Sequence, residues 1–543
     1  MPGGLMQLVN KGAQDQLVTG QPSFTHFKSV YKRHTEFAME HFVLNFRSAN
    51  LDLLPTQPKS LRCKVDRSAQ LLHDCYLNVT IPDIYSPVNP IGTGFATGYE
   101  FQWIGNLGYN MIRSVSLLIN GVAIVTHTGE WMKLYSYLRH NGTMRIKVDR
   151  MVGNVPEIKD PANAYGRFNQ YPHSITQIGN HAAPSILGRE LMIPLHFWFC
   201  EDVGSALPLI ALQYSDVEIV VEFNSIYDLF TVKDVDPTSP TYRQRIAPNP
   251  ANPLYAMNKF LSPPNVDTTP LNSSLTSWSL RPSVQANYIF LNDAEMAQFS
   301  KSDTSYMIKD LRPVTVRGVH GPSTDVELTM TNLCTRIVWT AQRSDILAKN
   351  DYDNYTNWLG PPTINLANSS PITGIYSSGQ QQGSNTALKD TLVEATVIFD
   401  GKNREETKTT AFYSLLQNYK HIEGAPLPGV YMYSFALDHD SKQPSGHANG
   451  SMFNTTILRL STLEPPQLPT ANGTSVCILK STAFNPRPTV VTNPSLYSPE
   501  EVVYTINRTL QQTVPYSFIV TAHVESYNFL RVYRGIGNVV FSS

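Results

Sequence analysis

The 543-residue chain sets 42 lysines and arginines against 43 aspartates and glutamates, a formal net charge of -1. That balance argues against binding a phosphate backbone as the main task. Charged residues make up 16% and hydrophobic ones 41%, which excludes a disordered, solvating chain and leaves enough apolar mass for one or more cores without disulfides or metals.

Residues 1–25 space Gly3, Gly4, Gly12 and Gly20 between small polar groups and carry no core-forming pattern. They read as an extended assembly arm, residues 1–26, that gains its order from neighbouring chains. The stretch lacks the apolar h-region and cleavage site of a signal peptide. From Phe27 the segment "FKSVYKRHTEFAMEHFVLNF" leads into a first domain. Phe27, Tyr31 and Phe37 are expected to anchor it, with Lys28, Lys32 and Arg33 on a polar side. These six are the candidate assembly residues, and their local positive charge reads as an inner-face contact rather than a nucleic-acid site. His26, His34 and His41 lie seven or eight residues apart, which suits surface or interfacial histidines better than a metal site.

Beyond the arm the strong segments read as strands. "LLHDCYLNVTIP" (71–82) and "IRSVSLLINGVAIVTHTG" (112–129) are apolar and β-branched, and Asn120-Gly121 in the second is a strong hairpin signal. A short helix follows at 129–140, "GEWMKLYSYLRH". Residues 191–223 give a strand ending near Cys200, a Gly/Pro-punctuated loop, and a returning strand in alternating "DVEIVVEF". A second short helix is predicted at 408–421. Segments 146–190, 224–282 and 345–388 read as long loops, rich in Pro, Asn, Gly, Ser and Thr. Strands and long helices do not alternate, which disfavours an α/β enzyme.

The order of elements repeats. Strand, Asn-Gly turn and aromatic helix at 114–138 return as strand, Asp-Gly turn and aromatic helix at 394–419. Residues 191–223 are echoed by 429–460, and 286–300 by 525–542. This implies two copies of one β domain, 27–300 and 301–543.

Chemical motifs are sparse. "HTGE" (127–130) lacks zinc-hydrolase spacing, "GTGFATG" (92–98) lacks the dinucleotide fingerprint, and neither GxSxG nor a Walker A sequence occurs. Acidic "DYDNY" (351–355) could hold a cation at a subunit junction but reads more simply as a solvated loop. Cys63, Cys75, Cys200, Cys334 and Cys477 are odd in number, scattered and without a CxxC pair. They read as reduced thiols, with a Cys63–Cys75 bridge as the weaker alternative. No stretch is long and apolar enough for a transmembrane helix. The expectation is no enzyme, no cofactor and no metal. Trp103, Trp131, Trp198 and Trp339 read as core or domain-junction aromatics. A carbohydrate-binding β-sandwich that presents such rings to sugars is the rival class.

Four segments carry a resemblance: "GGLMQLVNKGAQDQLVTGQPSFTHFKSVYKRHTEFAME" (3–40), "IPLHFWFCEDVGSALPLIALQY" (193–214), "YMYSFALDHDSKQPSG" (431–446) and "YNFLRVYRGIGNVVF" (527–541). Together they resemble the major capsid protein of the large nucleocytoplasmic double-stranded DNA viruses, over nearly the whole chain. "LTMTNLCTRIVW" (328–339) and "SGHANGSMFN" (445–454) depart from the family's usual forms. The resemblance implies an all-β fold of two tandem jelly-roll sandwiches with long loop insertions and few short helices. It implies a homotrimer, a pseudo-hexagonal capsomer that tiles an icosahedral virion shell assembled in the host cytoplasm. Implied partners are the chain itself, neighbouring capsomers, and minor capsid and vertex proteins. Direct nucleic-acid contact and membrane insertion are not expected, although an internal viral membrane can lie beneath such a shell.

Overall fold

The structure is a computed structural model that describes residues 2–48, 50–86, 88–89, 97–167, 170–174, 183–233, 245–252, 255–263, 278–301, 303–357, 376–377, 389–439, 441, 443–464, 476–483, 501–508 and 516–541. Much of the expected 224–282 and 345–388 loops, and residues 92–96 of the glycine-rich motif, lie outside these.

Eight strands build a first sandwich: β1 Phe37–Asn45, β2 Lys59–Lys64, β3 Leu71–Ile81, β4 Ile112–Ile119, β5 Val122–Thr128, β6 Arg189–Pro194, β7 Val217–Phe223 and β8 Ser283–Leu291. Period-two burial sets their faces: in β7, "VEIVVEF", Val217, Ile219, Val221 and Phe223 are buried and the residues between them half-buried. One sheet runs β1-β8-β3-β6 and the other β2-β7-β4-β5, with every pairing antiparallel.

A second set follows: β9 Thr304–Val319, β10 Thr324–Glu327, β11 Leu333–Arg343, β12 Leu392–Phe399, β13 Lys402–Asn403, β14 Val430–Ser434, β15 Thr456–Thr462 and β16 Phe518–Tyr533. Its sheets run β9-β16-β11-β14 and β10-β15-β12-β13. Adding eight to each label of the first sandwich reproduces the second. Paired four-stranded sheets in this Greek-key order are jelly rolls. The fold is a double jelly roll.

The duplication extends to the turns. Asn120 and Gly121, between β4 and β5, have φ of 53° and 79°; Asp400 and Gly401, between β12 and β13, have 47° and 76°. Two consecutive positive values are the type I′ signature, whose twist matches that of the flanking strands.

Each sandwich has its own core. Leu61, Leu77, Val115, Leu117, Ile219 and Val284 are among the first. The second gathers Val326, Ile337, Leu458, Val520 and Ala522 around Trp339, whose ring meets Tyr413 edge-on at 5.1 Å. A third cluster joins the sandwiches. Helix α2, Gly129–Arg139, buries Trp131, Leu134, Tyr135 and Leu138 against Leu311, Val338, Val430 and Met432 of the second sandwich. The numbering leaves α1 for Gly3–Val9 in the arm.

Several expectations need correction. The arm is not extended: α1 and a turn at Gln16–Thr19 are helical, with no buried residue in either. Phe27, Tyr31 and Phe37 are 99%, 82% and 54% exposed, so none of the three rings enters a core, although Phe37 pairs with Leu291 in the sheet and its ring meets that of His34. Segment 146–190 is not wholly a loop, because α3 occupies Gly142–Met151 and another turn Pro156–Lys159. The 191–200 strand stops at Pro194, and Trp198–Cys200 is a 3₁₀ turn. The second short helix begins after a strand pair at Lys408–Thr409. It has a π-wound turn, Phe412–Leu416, that leads into Gln417–His421. The echo between 286–300 and 525–542 ends with the strand, since helix α4, Asp293–Lys301, follows β8 while another strand, Ile536–Val539, follows β16.

Candidate assembly surfaces and the junction between the sandwiches

Two regions bear on assembly: the exposed N-terminal segment and the interface that fixes one sandwich against the other. All six candidate residues, Phe27, Lys28, Tyr31, Lys32, Arg33 and Phe37, are exposed. They do not converge on a pocket. They lie along one segment, tied back to the body where Thr35 Oγ1 donates to Glu295 Oε1 at 2.8 Å.

The junction is built on α2. Thr128 Oγ1 caps it by accepting from Trp131 N at 3.1 Å, which satisfies one of the free first-turn donors. Arg139 in the last turn suits the helix dipole. The helix buries Lys133, whose ammonium donates to Asp353 Oδ1 at 2.9 Å, to Tyr352 O at 2.9 Å and to Asn110 Oδ1 at 3.2 Å. Asp353 also accepts from the amides of Asn106 and Asn110, at 2.7 and 3.0 Å. Burial alone would raise its carboxyl; Lys133 and the amides outweigh this and hold it below the ordinary carboxylate range. The acidic "DYDNY" stretch is therefore not a solvated loop. It supplies the counter-ion for a buried lysine of the other sandwich.

A second network lies at the C-terminal end of α2. Glu201 accepts from Tyr135 Oη at 2.5 Å, from Arg139 Nη1 at 2.9 Å and from Lys309 Nζ at 3.2 Å. Lys309 stands 4.0 Å from Glu525 Oε1, while Glu525 Oε2 accepts from Arg336 Nη2 at 2.6 Å and Nε at 3.0 Å. Charges thus alternate Arg139, Glu201, Lys309, Glu525, Arg336 across the interface. Burial pushes both glutamates up, but their cationic neighbours pull them net below the usual range. A void of about 10 Å³ sits among His127, Trp131, Tyr135, His196, Lys309 and Glu525, room for about one water.

Four histidines surround this network, His127 and His523 buried and His140 and His196 half-buried. Burial lowers His127 and His140 to about 4, and pushes His196 and His523 below their ordinary value. His196 Nε2 lies 3.0 Å from Tyr109 Oη. Neither ring nitrogen of His523 has a hydrogen-bond partner among the described residues; its ring packs against Trp131 at a 41° tilt with centroids 5.2 Å apart.

Sequence reasoning missed these groups. The available signal was a charge inside an otherwise apolar strand: Arg336 in "CTRIVW" and Glu525 in "TAHVESY". Trp103, Trp131, Trp198 and Trp339 are all buried, so none offers a free face for a sugar to stack on. Cys63, Cys75, Cys200 and Cys334 are free thiols, and Cys477 lies where no side chain is described. Among the described residues no group of three His, Cys, Asp or Glu is placed to hold a metal, and no helix is long and apolar enough to cross a membrane.

Duplicated sandwiches locked by a buried interface define a double jelly-roll protein, and comparison with known proteins supplies the family. The profile described as "Major capsid protein N-terminus" matches residues 25–292, and that described as "Large eukaryotic DNA virus major capsid protein" matches residues 295–483. The major capsid protein of Paramecium bursaria Chlorella virus 1 is 24% identical, with 100% of each chain covered. That of Phaeocystis pouchetii virus is 25% identical over 85% of this chain and 93% of its own. Among solved structures, the Faustovirus major capsid protein superposes with a TM-score of 0.61 at 12% identity, covering 96% of this chain and 95% of that one. PBCV-1 VP54, fitted into a reconstruction of the virophage Sputnik, gives 0.60 at 20%, covering 96% and 100%. The chain belongs to the major capsid protein family of large eukaryotic DNA viruses, whose members are structural proteins of the virion rather than enzymes.

Proposed function

We propose that this capsid protein trimerises into a pseudo-hexagonal capsomer that tiles an icosahedral shell. The observation that carries the reading is the pairing of two sandwiches of one strand order through a buried junction. Three such chains around a three-fold axis would present six near-equivalent sandwiches, and head-to-tail contacts of this kind close into a ring when the rotation fits. The working units are an arm, residues 1–26, a first domain, 27–300, and a second, 301–543. The arm and the exposed run from Phe27 to Phe37 contact neighbouring capsomers or minor capsid and vertex proteins on the inner face of the shell. Near-neutral net charge limits repulsion between many close copies and suits a chain that leaves the genome, and any internal membrane, to other proteins. Assembly takes place in the host cytoplasm. Native mass spectrometry of the purified chain tests the reading: the expected species is three times the 60.7 kDa chain mass, and a stable monomer at neutral pH would refute it.

A further inference from the structure

The duplicated fold places a helix at the same point in both sandwiches, but among the described residues only one of the two is covered. Helix α2 follows β5 and precedes β6. Its counterpart, the π turn Phe412–Leu416 with α5, Gln417–His421, precedes β14. Tyr413 roots the counterpart in the second core, its hydroxyl donating to Ala395 O at 2.8 Å. Beyond that root the segment faces outward: Leu415 is 68% and Tyr419 88% exposed, with Leu416 beside them and Leu437 of the adjoining loop also exposed. Apolar groups grouped at this density on a surface mark a contact.

The contact that α2 makes identifies the complementary face. Val338 on β11, Met432 on β14 and His523 on β16 belong to the outer face of the β9-β16-β11-β14 sheet, and Trp131 and Leu134 of α2 rest there. The first sandwich has the matching sheet, β1-β8-β3-β6. Along β1, Phe42 and Leu44 turn toward the core, so period two sends Met39, His41 and Val43 to the other side. Val43 is 60% exposed, and Met39 on the same strand and Met192 on β6 are exposed as well. Among the described residues none buries these three. Each chain thus has one helix seated on one sheet, one exposed helix, and a sheet of the matching kind whose outer face is covered at Ile289 by Ala206 and Phe299 but exposed at Met39, Val43 and Met192.

We infer that the Phe412–His421 segment docks, through Leu415, Leu416 and Tyr419, on the outer β1-β8-β3-β6 face of a second copy of the chain, at Met39, Val43 and Met192. This reproduces between chains the contact α2 makes within one, and it rests on the trimer reading above, which it deepens by naming the surfaces. The contact is heterologous, since helix and sheet are different patches, so it propagates around a ring rather than closing as a two-fold dimer. The first sandwich has no counterpart of the Arg336–Glu525 pair, because β8 offers Gln285 and Asn287 where β16 offers Glu525.

Cysteine cross-linking of the full-length chain tests this. A Val43→Cys/Tyr419→Cys variant, oxidised and run without reductant, is expected to give covalent trimers, while either single variant gives none. Independently, Leu416→Asp/Tyr419→Asp and Val43→Asp/Met192→Asp are each expected to shift the native mass from trimer to monomer. Their melting temperatures should stay within about 2 °C of wild type, and Val122→Asp at the exposed start of β5 should leave the trimer intact. Mixing the two aspartate variants should give heterodimers, because one intact helix then meets one intact sheet. A trimer that survives both aspartate variants and gives no cross-link overturns the docking but leaves the trimer reading standing. A wild-type chain that is itself monomeric overturns both.

Discussion

Arg336 on β11 and Glu525 on β16 form a buried ion pair in which Nη2 and Nε both donate to Oε2, at 2.6 and 3.0 Å, with both side chains 3% exposed. The pair lies beneath the helix of the other sandwich, with the guanidinium carbon 5.6 Å from the ring centres of both Trp131 and Tyr135. Two charges hidden on the outer face of a sheet are explained by that cover.

Removing one partner strands the other. Glu525→Gln is expected to destabilise the fold by about 3–5 kcal/mol, the usual cost of an uncompensated buried charge, as measured by denaturant unfolding. The double variant Arg336→Met/Glu525→Leu should recover most of that loss, because well-packed apolar replacements of a buried pair are often neutral. A single variant as stable as wild type would show that the pair is solvated.

Acid should loosen the junction in two stages. His127, His140, His196 and His523 are held neutral in the fold, below their unfolded values. Their contribution is complete above the unfolded pKa of about 6.5. It is lost as pH falls from there toward about 4, since the unfolded chain then binds protons the native one refuses. Each such group contributes up to about 1.4 kcal/mol per pH unit in that window. The carboxylates Glu201, Asp353 and Glu525 are depressed instead, so their contribution goes only below about pH 4. The melting temperature is therefore expected to fall between pH 7 and pH 5, and His127→Gln/His523→Gln should flatten that slope. An unchanged slope would remove the histidines from the account.

The two hairpin glycines offer a matched pair. An added Cβ at Gly121 or Gly401 meets no atom within 4 Å, yet both sit at positive φ, +79° and +76°. Gly121→Ala and Gly401→Ala should each cost about 1 kcal/mol through backbone strain alone. Thermal denaturation of the two variants checks this. Costs that differ by several kcal/mol would mean the turns are not equivalent.

Among the described residues, deleting 1–26 removes no buried side chain. The truncated chain should melt with the full-length protein, by calorimetry, and its loss should appear in shell assembly instead. A large drop in melting temperature would place the arm on the body of the subunit.

The double sandwich was legible because its signals are local. Alternation in "VEIVVEF" and the Asn-Gly and Asp-Gly turns each depend on a few consecutive residues, and they recur in the same order. The junction was not legible. Lys133 and Asp353 are 220 residues apart, and nothing near either names the other, so the acidic stretch looked solvated. The six residues from Phe27 to Phe37 were readable as exposed and basic, and of their aromatic rings Phe27 and Tyr31 stay more than four-fifths exposed. The bare helix at Leu415 and Tyr419 looked like the covered one, because a sequence repeat shows that two surfaces match and not which of them is occupied.

Electron microscopy of the purified full-length chain tests the central claim most directly. The account predicts a three-fold particle with six sandwich-sized lobes in a hexagonal outline. Isolated two-lobed particles under the same neutral conditions would contradict it.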